Sequence, residues 1–168
     1  MDMSPLVILA RYPGDFRARS EPEALGNAGG LSGSRLWKIE ANRGPLALRL
    51  WPEDGPTPGL LRRIHGWLAE AGGLGIVPVP IPTLQGVTFV ESGGRLWELA
   101  PWMPGEPDLS SPPRMGRLEA AFRALARFHL TLAGTATLGV SPNLASRSGE
   151  IERLIGSGKN DPGGIIQR

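Results

Sequence analysis

The chain contains no cysteine, which excludes disulfide staples and thiolate metal sites. It has only two histidines, His65 and His129, too few for a histidine metal cluster. Lysine occurs only at Lys38 and Lys159, so the basic side rests on arginine; 18 basic and 16 acidic side chains leave a net charge of +2. The arginines are scattered, with acidic residues between most of them. A nucleic-acid footprint is a stripe or cluster on one face, so nucleic acid is not an expected partner. Long hydrophobic runs are missing too. The N-terminal MDMSPLVILARYPG holds a short apolar run with no basic segment ahead of it, too short for a membrane span and a poor signal peptide. These absences lead us to expect a soluble, cytoplasmic protein with no membrane partner.

What the chain does have is turn chemistry. Its 24 glycines and 17 prolines fall between apolar runs without a fixed period, which argues against a low-complexity chain. Residues 4–12 suit a short helix or strand ending at Pro13-Gly14, and residues 17–24 are polar. LWKIE at 36–40 alternates, with Trp37 and Ile39 opposite Leu36, Lys38 and Glu40. Ala41-Asn42-Arg43-Gly44 is a hairpin connection into PLALRLW at 45–51. Leu60, Leu61, Ile64, Trp67 and Leu68 have helical spacing, which predicts a helix over 57–71 with Gly72-Gly73 as its stop. PVPIP at 78–82 must be extended. GVTFVES and RLWELAPW form a second hairpin around Gly93-Gly94, and a proline- and glycine-rich connector follows. Met115, Leu118, Phe122, Leu125, His129 and Leu132 then mark the strongest helix, over 114–132. The tail from 134 is glycine- and serine-rich and weakly patterned.

Within this frame one stretch carries chemistry. In Leu46-Ala47-Leu48-Arg49, Ala47 and Arg49 face the same side of a strand. A small residue beside a long cation suits a flat ring on the alanine and phosphate oxygens on the guanidinium. The turn Gly29-Gly30-Leu31-Ser32-Gly33-Ser34 precedes the neighbouring strand. Its glycines, Gly29, Gly30 and Gly33, let backbone amides approach phosphate, and the hydroxyls of Ser32 and Ser34 add donors. The bland alternative is a loose hairpin turn and an edge arginine. His129, at the end of its apolar stripe, reads as a packed structural residue, and His65 as a surface or helix-packing one. Four of the five tryptophans read as core; Trp102, in the connector, is the one expected near a pocket.

The order of these elements and their local wording resemble the small lobe of the aminoglycoside phosphotransferase/choline kinase-like family, within the protein-kinase-like fold. Ala47 and Arg49 match the small residue and the cation of that family's third strand. WELAPWMPG at 97–105 resembles its hinge, and RLEAAFRALARFH at 117–129 the first long helix of its large lobe. The resemblance implies that backbone groups around Ala100–Trp102 meet the adenine edge of ATP. It also implies a carboxylate from the helix after the third strand as partner to the cation. That helix has no acid before Glu70, which is therefore the candidate.

The family's His-Gly-Asp catalytic sequence and its later magnesium-binding aspartate have no counterpart after residue 132. Asp161, in KNDPGG, lacks a preceding histidine. The expected fold is α+β: a kinase-like small lobe, an antiparallel sheet of about five strands with one packed helix, plus the truncated start of a mostly helical large lobe. The corresponding division is an N-terminal extension over 1–23, the small lobe over 24–100, a connector over 101–107 and an incomplete large lobe over 108–168. No catalytic or metal residue is assigned. The expected ligand is ATP, bound weakly if the chain is truncated, with magnesium and a small-molecule acceptor entering only in a complete relative. The other readings are a non-catalytic interaction module or inactive gene remnant, and, ranked below both, a single-stranded nucleic-acid binder.

Overall fold

A computed structural model describes residues 4–27, 32–105 and 115–135, together with Gly149 and residues 152–153. The chain divides into two compact units, Met1–Thr135 and Ala136–Arg168. The sheet and its helices all belong to the first.

Five strands form one antiparallel sheet: β1 (Glu23–Gly26), β2 (Arg35–Ala41), β3 (Gly44–Leu50), β4 (Val90–Ser92) and β5 (Arg95–Pro101), in the order β1-β2-β3-β5-β4. Both expected hairpins are present. Asn42-Arg43 turns β2 into β3, so that Ala41 pairs with Gly44. Gly93 and Gly94 turn β4 into β5 with φ of 60° and 73°, a left-handed pair that side-chain-bearing residues resist. The non-local step is β3 beside β5: Leu46 pairs with Pro101, Leu48 with Leu99 and Leu50 with Trp97. The prolines at 78–82 keep their segment outside regular strands, yet Ile81 N–H donates to the Leu99 carbonyl at 2.7 Å and covers the open edge of β5.

Alternation along the strands gives the sheet two unlike faces. Ile39, Leu46, Leu48, Leu50, Trp97 and Leu99 are buried on one. The N-terminal segment seals that face: α1 (Pro5–Leu9), started by a proline in its first turn, contributes Ile8 and Leu9, and Tyr12 follows. The other face receives α2 (Pro58–Glu70), whose N-cap Thr57 Oγ1 accepts from Leu60 N–H at 3.3 Å. Its Leu61 packs on Phe89 and Leu96, with Trp51 at the margin. The long helix α3 (Met115–Thr131) buries none of its residues among those described. Met115, Phe122 and Leu130 are exposed, and so is His129, which the stripe pattern had placed in a packed position.

Tyr12 is the chain's only tyrosine and is fully buried, and among the described residues its hydroxyl has no hydrogen-bond partner within bonding geometry. Burial first, then the negative charge of Glu98, hold its ionisation well above the ordinary tyrosine range, and the Leu99 backbone offers only a weak counter-pull. The native state therefore keeps a proton that the unfolded chain gives up at about pH 10. Stability from this group is fully present below that pH. Above it, stability falls by about 1.4 kcal/mol per pH unit. Tyr12→Phe should remove this alkaline slope, and at neutral pH it should be neutral or stabilising by about 1 kcal/mol, since an unsatisfied hydroxyl leaves the core. Urea midpoints between neutral and strongly alkaline pH, with tyrosinate absorbance recorded alongside, measure both. Tyrosinate forming before unfolding would contradict the buried, neutral phenol.

Candidate functional site

The face that carries α2 is polar where the helix leaves it open. Register places two cross-strand rows there: Leu36, Arg49 and Glu98 form one, and Lys38, Ala47 and Ala100 form the other. The alanines leave a low, flat strip between the taller side chains. At its end, past β5, the Trp102 ring lies 5.8 Å from Lys38 Nζ, centroid to nitrogen, and Trp102 N–H donates to the Pro45 carbonyl at 3.0 Å.

Arg49 answers to the residue directly across from it. Its guanidinium meets Glu98 Oε1 at 3.1 Å and sits 4.9 Å from the centre of the Trp51 ring. The Glu98 side chain is only 10% exposed against 39% for Arg49, so the carboxylate forms the floor and the cation reaches outward. The second carboxylate oxygen accepts from Trp51 Nε1–H at 3.1 Å and from His65 Nε2–H at 2.8 Å. The other ring nitrogen of His65 meets the Thr88 hydroxyl at 2.7 Å. Thus α2 does reach the cation, through a buried histidine and a strand carboxylate. Three donors on one buried carboxylate satisfy nearly all of its capacity, the condition under which a buried ion pair is not a liability.

The carboxylate partner expected from α2 lies elsewhere. Glu70 is the exposed last residue of that helix. It is five residues past His65, which puts it about 7.5 Å further along the axis and about 140° around it. Glu98 was missed because α2 and β4 lie between it and Arg49 in the sequence. A signal existed: a carboxylate between Leu96 and Ala100 on the inward side of an apolar strand requires a buried donor. His65, read as a surface or helix-packing residue, is not at the surface: it is buried against the sheet and also holds Glu98.

Of the glycine-rich turn, Gly29 and Gly30 lie outside the described residues. Gly33 has φ of 67°, a left-handed position that explains a glycine between two serines. Ser34 is buried, and its Oγ is 3.0 Å from that of Ser32. Ser32 is exposed. Ala47, Arg49 and Ala100 come together on one face; Trp102 adjoins it, with its N–H already engaged and Pro101 having none to offer. Among the described residues, no three of His, Asp or Glu gather to hold a metal ion, and no helix is long and apolar enough to cross a membrane.

A five-stranded antiparallel sheet with one helix coupled to a cation on its third strand is the small lobe of a kinase-like fold, and a helical region follows its last strand. The pattern of the phosphotransferase enzyme family matches residues 23–153, well over half of the sequence, and the chain belongs to that family. No curated protein matches it significantly.

Proposed function

We propose that this chain is the nucleotide-holding part of an ATP-dependent phosphotransferase acting on a small-molecule hydroxyl in the cytoplasm. The observation that carries the reading is the Arg49–Glu98 pair, a guanidinium held from beneath and open above, beside the flat Ala47–Ala100 strip. Those residues fit ATP: the strip takes the adenine plane, Arg49 offers its fork to phosphate oxygens, and Ser32 and the Gly33 backbone lie at the start of the neighbouring strand. Bound ATP would supply the transferable phosphoryl group, while this chain's residues bind and orient it. We assign no metal ligand among the described residues, where no three His, Asp or Glu side chains gather.

Transfer needs an acceptor-orienting base and charge neutralisation at the phosphoryl group. Residues 133–168 contain no His-Gly-Asp or Asp-Phe-Gly-like stretch. We therefore infer a half-site, with the small lobe ending near residue 100 and the connector leading into large-lobe residues. ATP should protect the chain from proteolysis and show saturable binding by calorimetry. Phosphate release, with or without an aminoglycoside or choline acceptor, should stay at the uncatalysed level. Measurable transfer would overturn the half-site; no ATP binding would overturn the nucleotide reading. The exposed Met115, Phe122 and Leu130 of α3 favour the second reading, a non-catalytic interaction module, if ATP has no effect.

A further inference from the structure

A cleft of about 470 Å³ lies between the end of α1, the first half of α2 and the chain from Thr83 to Ser92. That volume is within the range of small-molecule sites. Phe89, buried, and Val87 make its floor, and Leu84, two-thirds exposed, stands at its rim. The loop that carries Leu84 is tied to α1, Leu84 N–H donating to the Arg11 carbonyl at 2.9 Å. Two cations, Arg11 and Arg62, and one anion, Glu91, line the same cleft. Among the described residues neither arginine has an ion-pair partner within the cleft. Arg62 lies over the Phe89 ring instead, 5.5 Å from its centre.

We propose that this cleft binds a small amphipathic monocarboxylate, a flat or branched apolar body with one carboxylate. The apolar floor takes the body, by removing hydrophobic surface from water. The guanidinium forks of Arg62 and Arg11 take the carboxylate, whose planar geometry matches theirs. The charge of the lining sets the ligand's charge: two cations against Glu91 leave one net positive charge, which a monoanion neutralises. Inorganic phosphate would meet repulsion from Glu91 and leave the floor uncovered.

The cleft's lining touches His65 of the same helix. Phe89 packs edge-on against His65, with ring centres 6.1 Å apart, and its neighbour Thr88 bonds His65 Nδ1. His65 in turn holds Glu98, which holds Arg49. A ligand resting on Phe89 therefore lies one contact from the His65 ring, whose signals report its arrival. Binding itself does not depend on the nucleotide reading, and its test contains no nucleotide.

The probe is biphenyl-4-carboxylate, titrated into the full chain by calorimetry and followed at the His65 ring by NMR, with biphenyl-4-methanol as its neutral counterpart. The carboxylate should bind saturably and shift the His65 signals, and the alcohol should bind about tenfold more weakly, the value of one charge-assisted contact. Arg62→Gln and Arg11→Gln, both exposed positions, should each weaken the acid by about tenfold and leave the alcohol unchanged. Arg49→Ala should leave the probe's affinity intact. Equal binding of acid and alcohol, equal binding by the arginine variants, or loss of binding in Arg49→Ala would each overturn the assignment.

Discussion

Glu98→Ala should be the most damaging single substitution on the polar face, lowering stability by about 3–5 kcal/mol, the usual cost of breaking a buried ion pair from one side. The carboxylate is nearly enclosed and takes the guanidinium of Arg49, the indole N–H of Trp51 and the imidazole of His65. Truncation leaves the indole and imidazole donors without an acceptor in a site too closed for bulk water, and each such group costs about 1–3 kcal/mol. Glu98→Gln separates charge from shape. It keeps one acceptor oxygen but turns an amide donor toward either Arg49 or His65, so an intermediate loss is expected. Glu98→Leu tests the opposite side: an apolar side chain fills the volume but strands the same donors, so it should be no better than alanine. Urea midpoints for the three variants rank them. If alanine costs less than 1 kcal/mol, the carboxylate is not the node we describe.

Arg49→Ala should act on the ligand more than on the fold. The arginine side chain is 39% exposed, and its removal still leaves Glu98 bonded to His65 and Trp51. The native structure should survive, with Glu98 a less completely neutralised anion. A phosphate that loses a bidentate charge-assisted contact forfeits about 1.5–3 kcal/mol, so ATP affinity should fall by about one to two orders of magnitude. Arg49→Lys keeps the charge without the fork and should fall between the two. Glu98→Gln should weaken ATP as well, without touching it, because the guanidinium loses the group that orients it. The pattern that separates positioning from folding is a shared loss of ATP affinity in Arg49→Ala and Glu98→Gln at temperatures where both remain folded by circular dichroism. Parent-like ATP affinity in Arg49→Ala would remove the residue from the site.

Local sequence alone determined most of the elements. Strands, hairpins and helices follow from apolar spacing, from glycine at left-handed positions such as Gly93-Gly94, and from Thr57-Pro58 at the head of α2, because these depend on neighbours a few residues apart. Ala47 and Arg49 were legible as a small residue and a cation on one strand face for the same reason. The five-stranded α+β small lobe followed from their order. The tertiary structure decided who meets whom. Arg49 pairs with Glu98 because β3 lies beside β5 in register, a contact spanning a helix and a long loop. His65, rather than Glu70, carries α2's influence to the cation, because helix phase and packing, set by Leu61 on Phe89 and Leu96, determine which side chain reaches the sheet. Charge and spacing in the sequence name the groups able to form a site; only packing between distant segments selects the partners, since a buried carboxylate's position is set by every donor that closes on it at once.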